Sequence, residues 1–204
     1  SAAFGATGSF IIAPDATTLK ATHLRAGSPY YNYGGKDLIY TGNDAGNKMT
    51  SLLFWTTLAD SMRHVVASDA GGAVTWDSAI VTLRTQYDTP TDSAAIAFFK
   101  LKRAWGEGAS DDEVGAGATW TNADSSGGTK TAWGTAGCAN TTSDVSATKE
   151  TIASRTGDTK IKSTGYTYTV PISGATITDT LGNYGVKLDT TGTWGDATYH
   201  GYNS

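Results

Sequence analysis

The sequence RAWGEGASDDEVGAGATWTN, residues 103–122, places two tryptophans and the carboxylate of Glu107 around a glycine-rich loop. Trp105 is followed by Glu107 and a glycine, and Trp120 by Asn122. Tight glycine turns between short aromatic segments are typical of β-proteins. The stretch favours an all-β fold, which we expect to be an antiparallel β-sandwich, jelly-roll-like, with long surface loops and an N-terminal extended arm.

The composition of the chain agrees with one β-domain. Only 17% of its 204 residues are charged and 25 are glycine, which favours short strands and tight turns over amphipathic helices. Residues 57–64 could form one short helical stretch at most, and Pro171 is expected to end its strand. Strands are predicted from alternating or apolar runs within residues 18–25, 37–41, 49–55, 73–86, 93–101, 165–170, 175–177 and 184–188.

Residues 1–16 form an apolar arm ahead of a single domain at 17–204. Burial of Phe4, Phe10, Ile11 and Ile12 would gain about 1.5 to 3 kcal/mol each, so the arm is expected to lie along its own sandwich or on a neighbouring subunit. An edge strand of the same domain fits equally well. The chain starts at Ser1, which fits either removal of an initiator methionine or cleavage of a leader.

Residues 122–159 are rich in Ser, Thr, Gly, Asn and Asp, and their main apolar positions are Trp133 and Cys138. A structureless loop of that length is unusual in a compact domain. We expect a long excursion over the surface that is pinned by Trp133 and ends in a short edge strand.

Charge and hydropathy exclude two classes of partner. The net charge is -4 and the basic residues are scattered, so no stripe is available for a nucleic-acid backbone. No run approaches the roughly 18 apolar residues of a membrane span. Cys138 is the one cysteine, so the chain has no internal disulfide.

Catalytic patterns are missing from the sequence, so we expect no enzymatic activity. There is no Gly-x-Ser-x-Gly elbow, and Cys138 has no basic neighbour in sequence to lower its pKa. His23, His64 and His200 are too widely separated for a zinc motif. His23 and His64 are interpreted as surface residues of strands or loops.

Carboxylates cluster within residues 107–113, and three interpretations remain open. Glu107 can cap backbone N–H groups in a solvated loop. Glu107, Asp111 and Asp112 can instead bind calcium, which takes about six to eight oxygen ligands. A pair of facing carboxylates would suit a glycosidase. No cofactor is required by the sequence, and calcium is the one candidate.

Three adjacent residues, Tyr30, Tyr31 and Asn32, are the candidate partner- or glycan-binding residues. Exposed rings beside an amide can stack on a sugar or pack into a partner protein. Tyr33 is expected to pack beneath this loop. Trp105 and Trp120 are expected to be structural and to cover one end of the sandwich.

The chain resembles the DNRLRE domain, a β-sandwich module of bacterial, archaeal and viral proteins that is related to carbohydrate-binding modules. The resemblance covers residues 17–190 and implies the same sandwich fold. Seven short motifs carry it in order, at residues 33–34, 39–42, 51–54, 79–83, 104–108, 118–122 and 183–188.

The chain departs from that family after residue 190. Members close with a further strand, whereas residues 194–204 are rich in glycine and tyrosine. A strand is therefore expected to be missing. The apolar arm is a candidate to fill the groove, from the same chain or from a neighbouring subunit by strand addition.

Three functions follow from these observations. The first is a non-catalytic structural or capsid-decoration subunit of a virion, assembled as a homo-oligomer or with capsid or filament subunits. The second is an extracellular carbohydrate-binding or adhesion module that binds polysaccharide. The third, a polysaccharide-active enzyme, has only the carboxylate cluster in its favour. We favour the first because the sandwich stands without a catalytic domain, and we expect a virion or extracellular surface location.

Overall fold

The structure is a computed structural model that describes residues 17–58, 60–61, 78–88, 96–151, 167–173, 184–190 and 198–203. It confirms the all-β fold, since these ranges contain no helix of seven residues or more. Nor do they contain an apolar helix long enough to cross a membrane. The strands are β1 Leu19–Arg25, β2 Tyr31–Asn32, β3 Leu38–Asp44, β4 Asn47–Trp55, β5 Ser78–Asp88, β6 Ile96–Leu101, β7 Glu113–Val114, β8 Asn122–Asp124, β9 Thr131–Ala132, β10 Val145–Thr151, β11 Thr167–Ser173, β12 Val186–Thr190 and β13 Thr198–Asn203.

The main sheet divides at β4. One edge of β4 is taken by β1, which pairs with residues 49–55. The other edge pairs with β3 over residues 47–49 and with β12 over residues 51–53. Two series of paired strands start at β4. One continues through β3 to β13, β5 and β11, and the other through β12 to β6 and β10. Two antiparallel arms that diverge from one strand give the two layers of a sandwich.

Both faces of β1 and β4 are covered. Residues 21–24 and 49–53 are buried without alternation, although a strand with one solvated face alternates buried and exposed side chains. Leu24 and Leu52 point to one face, where residues of the 102–145 segment pack over them. His23 and Ser51, one residue away along each strand, point to the opposite face.

The 102–145 segment is a packed layer and more than a surface excursion. Trp133 is 5% exposed and donates from Nε1 to the Thr119 carbonyl at 2.9 Å, which confirms it as an anchor. Short strands β8 and β9 form a hairpin within the segment. Its apolar side chains join the sheet in one core of Leu24, Leu52, Leu101, Trp105, Ala118, Ala123, Trp133, Cys138 and Val145.

The C-terminal strand corrects the expectation of a missing strand. β13 lies between β3 and β5 and pairs antiparallel with both. The chain therefore supplies this strand itself, and that expectation was wrong. The arm residues Phe4, Phe10, Ile11 and Ile12 lie outside the described residues.

Pro171 does not end its strand. It lies within β11, opposite Ile80 of β5. β11 is the last strand of its arm, and proline is tolerated on an edge strand because its missing N–H can face away from the ladder. Within the expected helical stretch at residues 57–64, the Ser61 N–H donates to the Thr57 carbonyl at 2.9 Å. Residues 59 and 62–64 of this stretch lie outside the described ranges.

Candidate functional site

Asn32 ties the tyrosine loop to the glycine-rich corner. Its side chain is fully buried. Nδ2 donates to the carbonyls of Glu107 and Ala118, at 2.7 and 2.9 Å. Oδ1 accepts from the backbone N–H groups of Gly34 and Ser110, at 3.1 and 3.2 Å. These four bonds use the hydrogen-bonding capacity of the amide, so Asn32 holds the loop and offers no free group to a ligand.

Tyr30 and Tyr31 project from that anchored loop. They are 58% and 38% exposed, and Val114, which pairs with Tyr31 across the β2–β7 ladder, is 72% exposed. We call Tyr30, Tyr31 and Val114 the tip. The Tyr31 N–H donates to the Ser28 carbonyl at 3.1 Å. The tip is thus an exposed apolar surface on an ordered backbone. Tyr33 is 2% exposed, so the expectation that it packs beneath the loop is confirmed.

Glu107 and Trp105 are structural residues of the corner. A Glu107 carboxylate oxygen accepts from the Ala21 N–H at 2.6 Å, on the edge of β1 that β4 does not cover. Burial raises the pKa of Glu107, against the opposing effects of this hydrogen bond and of Lys20. Trp105 is buried and donates from Nε1 to the Tyr184 carbonyl at 2.9 Å. The expectation that Glu107 caps a backbone N–H is confirmed.

The three calcium candidates lie in different surroundings. Glu107 is directed at β1, and Asp111 forms an ion pair with Lys36. Asp112 instead lines a cleft together with His23 and Tyr40. Within the described ranges, no group of three or more His, Cys, Asp or Glu side chains is placed to hold a metal ion. The structure therefore does not bring these carboxylates together as one ligand set.

The cleft has a volume of about 360 Å³ and an aromatic wall. The ring of His23 stacks on Tyr33 with centroids 4.1 Å apart, and Tyr40 meets His23 edge-on at 5.3 Å. Tyr199 in turn contacts Tyr40 at 6.0 Å. His23 is 3% exposed, so its interpretation as a surface residue was wrong. Burial, with the positive charges of Arg25 and Lys36, lowers the pKa of His23 to about 3.

Charged side chains of both signs line the same cleft. Arg25 pairs with Asp44 at 3.1 Å, and Lys36 and Asp112 complete the charged wall. Three polar atoms of the lining are buried without a hydrogen-bond partner among the described residues: His23 Nδ1, Arg25 Nε and Tyr33 Oη. Ser28 and Asp112 lie near the Tyr33 hydroxyl but do not bond to it with ordinary geometry, and burial raises the pKa of Tyr33.

Cys138 and Asp144 are buried groups of the 102–145 layer. Burial raises the pKa of the Cys138 thiol to about 12, so the thiolate nucleophile is disfavoured. The Asp144 carboxylate accepts from the backbone N–H groups of Gly134, Thr135 and Asn140. These hydrogen bonds hold the backbone of residues 134–140 around the Asp144 carboxylate.

Comparisons with protein-family models, with curated proteins and with solved structures give no match to this chain. The DNRLRE resemblance stays a prediction from the seven motifs.

The cleft is the feature that sequence reasoning missed. His23 and Tyr40 lie on different strands, β1 and β3, and the motif at residues 39–42 that contains Tyr40 gives no sign of His23 as its neighbour. An alternating sequence such as that of β1 predicts a strand with one buried face and one solvated face. In the structure both faces of β1 are buried. Only the tertiary arrangement brings these rings together.

Proposed function

We propose that this chain is a non-catalytic assembly protein that binds a second copy of itself through the tip. The observation that carries the proposal is an exposed apolar surface held on an ordered backbone. Tyr30 and Val114 are 58% and 72% exposed, while Asn32 beneath them is fully buried with four hydrogen bonds.

Preorganisation makes this surface suitable for binding. Ordering a loop upon association costs conformational entropy, and a loop that is already fixed avoids that cost. Tyrosine is enriched at interfaces because it contributes a large contact area with few rotatable bonds. The Thr121 N–H also donates a hydrogen bond, at 3.2 Å, to the carbonyl of Pro29, the residue that precedes Tyr30.

The tip is small, so we place it at the centre of a larger contact. Specific interfaces bury roughly 1,200 to 2,000 Å², more than three side chains supply. The apolar arm residues Phe4, Phe10, Ile11 and Ile12 are proposed to add to this contact in the assembly. A virion surface subunit is the form of assembly that we propose, on the sequence features given above.

Two buried groups support a non-catalytic role. The raised pKa of the Cys138 thiol, about 12, disfavours nucleophilic attack. The lowered pKa of His23, about 3, removes it as a base near neutral pH, because efficient general bases have pKa values near the working pH. Both side chains are buried.

The test is the oligomeric state of the protein against concentration, measured by analytical ultracentrifugation. The wild type is expected to associate, and Tyr30→Ala combined with Tyr31→Ala is expected to weaken association at least tenfold, since interface tyrosines are often hot spots. Tyr184→Ala is the matched control, because Tyr184 is 37% exposed outside the tip.

A monomeric wild type at every concentration would overturn the proposal. If that monomer gives a glycan-array signal that the double variant loses, the tip is instead a carbohydrate-binding surface. Association that is unchanged in the double variant would place the interface elsewhere.

A further inference from the structure

The cleft has the dimensions and walls of a small-molecule site. Its volume of about 360 Å³ falls at the lower end of the roughly 300 to 1,000 Å³ of ligand pockets. Its wall contains the half-buried rings of Tyr40 and Tyr199 beside the buried, stacked pair His23 and Tyr33. Aromatic rings offer flat apolar faces that pack against C–H groups of a ligand.

Three unpaired polar atoms lie in that wall. Buried polar atoms almost always have a hydrogen-bond partner, yet His23 Nδ1, Arg25 Nε and Tyr33 Oη have none within the described chain. Arg25 Nε donates only, Tyr33 Oη both donates and accepts, and His23 Nδ1 does one or the other according to its tautomer. Hydroxyl groups, which donate and accept, complement all three.

The charges of the cleft favour a neutral ligand. Arg25 is paired with Asp44, and Lys36 is paired with Asp111. Asp112 adds a further carboxylate to the lining. Since the positive groups already have acidic partners, the cleft has no surplus cation for an anionic ligand. The low pKa of His23 also keeps its ring uncharged near neutral pH.

We infer that the cleft binds a small neutral ligand with several hydroxyl groups on a ring, the chemistry of a single sugar residue. The unpaired atoms are covered by neighbouring side chains, so binding requires the lining to move. The Arg25 and Asp44 side chains of the lining are 30% and 38% exposed, so this ion pair lies at the surface and can shift as a pair when the lining moves. This site is separate from the tip and does not depend on assembly.

The test is a titration of the ¹⁵N-labelled full chain, followed by NMR chemical shifts. The probes are glucose, galactose and N-acetylglucosamine, with glucuronate and glucosamine as charged counterparts. At least one neutral sugar is expected to shift the amides of residues 23–25 and 33–40, more strongly than either charged sugar. Tyr33→Phe removes the hydroxyl and His23→Phe removes both ring nitrogens, Nδ1 among them, while an aromatic ring remains at each position, so each is expected to weaken binding roughly three- to tenfold.

Tyr184→Phe is the matched control, because it removes a tyrosine hydroxyl outside the cleft and is expected to bind as the wild type. Thermal unfolding of each variant checks that it folds. If His23→Phe does not fold, Tyr33→Phe alone tests the inference. The inference is overturned if no neutral sugar shifts these amides, or if a charged sugar shifts them more. Unchanged affinity in Tyr33→Phe and His23→Phe also overturns it, by placing the ligand elsewhere.

Discussion

The side-chain amide of Asn32 donates to the Glu107 carbonyl at 2.7 Å across 75 residues of chain. This bond joins the loop that carries Tyr30 and Tyr31 to the glycine-rich corner that carries Trp105. The same amide also reaches the Ala118 carbonyl at 2.9 Å. One buried side chain thus couples the position of the tip to the integrity of the corner.

Replacement of Asn32 should unfold this junction. Asn32→Ala leaves the Glu107 and Ala118 carbonyls without their donor, and each unsatisfied buried group costs about 1 to 3 kcal/mol. We expect a loss of about 3 kcal/mol in the free energy of unfolding, measured by urea denaturation. Asn140→Ala is the control, because Asn140 accepts two bonds in an exposed turn. A similar loss in both variants would contradict the prediction.

Glu107 should make the stability of the protein fall as pH rises above its ordinary pKa of 4.5. Burial raises its folded-state pKa, so the folded state holds this proton more tightly than the unfolded state does. The stabilisation is complete below the unfolded pKa and is lost as pH rises through the folded pKa. Glu107→Gln removes the titrating group.

The measurement is the free energy of unfolding of the wild type and of Glu107→Gln from pH 3 to 8. We expect the wild type to lose stability relative to the variant as pH rises through the window that begins near 4.5. The opposite slope would mean that Lys20 and the Ala21 N–H outweigh burial at this carboxylate.

Local pattern was sufficient for much of the fold. The alternation in residues 18–25 predicted β1, the run at 49–55 predicted β4, and Trp133 was recognisable as an anchor in a polar segment. These features depend on neighbours in sequence, which periodicity reports. β13 was not recognised, because its glycine and tyrosine content resembles a loop and its pairing comes from β3 and β5.

The site was harder to predict, because its groups find their partners far along the chain. Asn32 was interpreted as a ligand-binding amide, but its acceptors lie on the corner. His23 was interpreted as a surface residue, but Tyr33 and Tyr40 cover its ring. Burial of a polar side chain depends on tertiary contacts that no local pattern contains.

Asp144 should stabilise the 102–145 layer above acidic pH. Burial opposes its ionisation, but hydrogen bonds from Gly134, Thr135, Ser143 and Asn140 outweigh it and hold its pKa below the ordinary 3.8. This stabilisation is present above the unfolded pKa and is lost as pH falls through the folded pKa.

Asp144→Ala is therefore expected to lower the free energy of unfolding at pH 7 by about 3 kcal/mol, since hydrogen bonds to charged groups contribute about 1.5 to 3 kcal/mol each and do not add fully. The difference from the wild type should shrink in acid below pH 3.8. Asp37→Ala, at an exposed position, should change stability by less than about 0.5 kcal/mol. An equal effect of both substitutions at pH 7 would contradict the assignment.

Gly137 and Gly127 form a matched pair that separates backbone strain from steric overlap. Both have positive φ, 75° and 68°. A Cβ at Gly137 would lie 2.7 Å from the ring of Trp120, whereas a Cβ at Gly127 would meet nothing within 4 Å. Gly127→Ala should therefore cost only the left-handed backbone conformation, about 1 to 2 kcal/mol.

Gly137→Ala should cost that amount and a further 1 to 3 kcal/mol or so, because the Trp120 ring must move in a packed layer. Urea denaturation measures both losses, and the Trp120 environment is followed by near-UV circular dichroism. The near-UV spectrum should change in Gly137→Ala and stay that of the wild type in Gly127→Ala. Equal losses with unchanged spectra would show that the Trp120 ring does not pack on Gly137 and that only the backbone conformation requires glycine there.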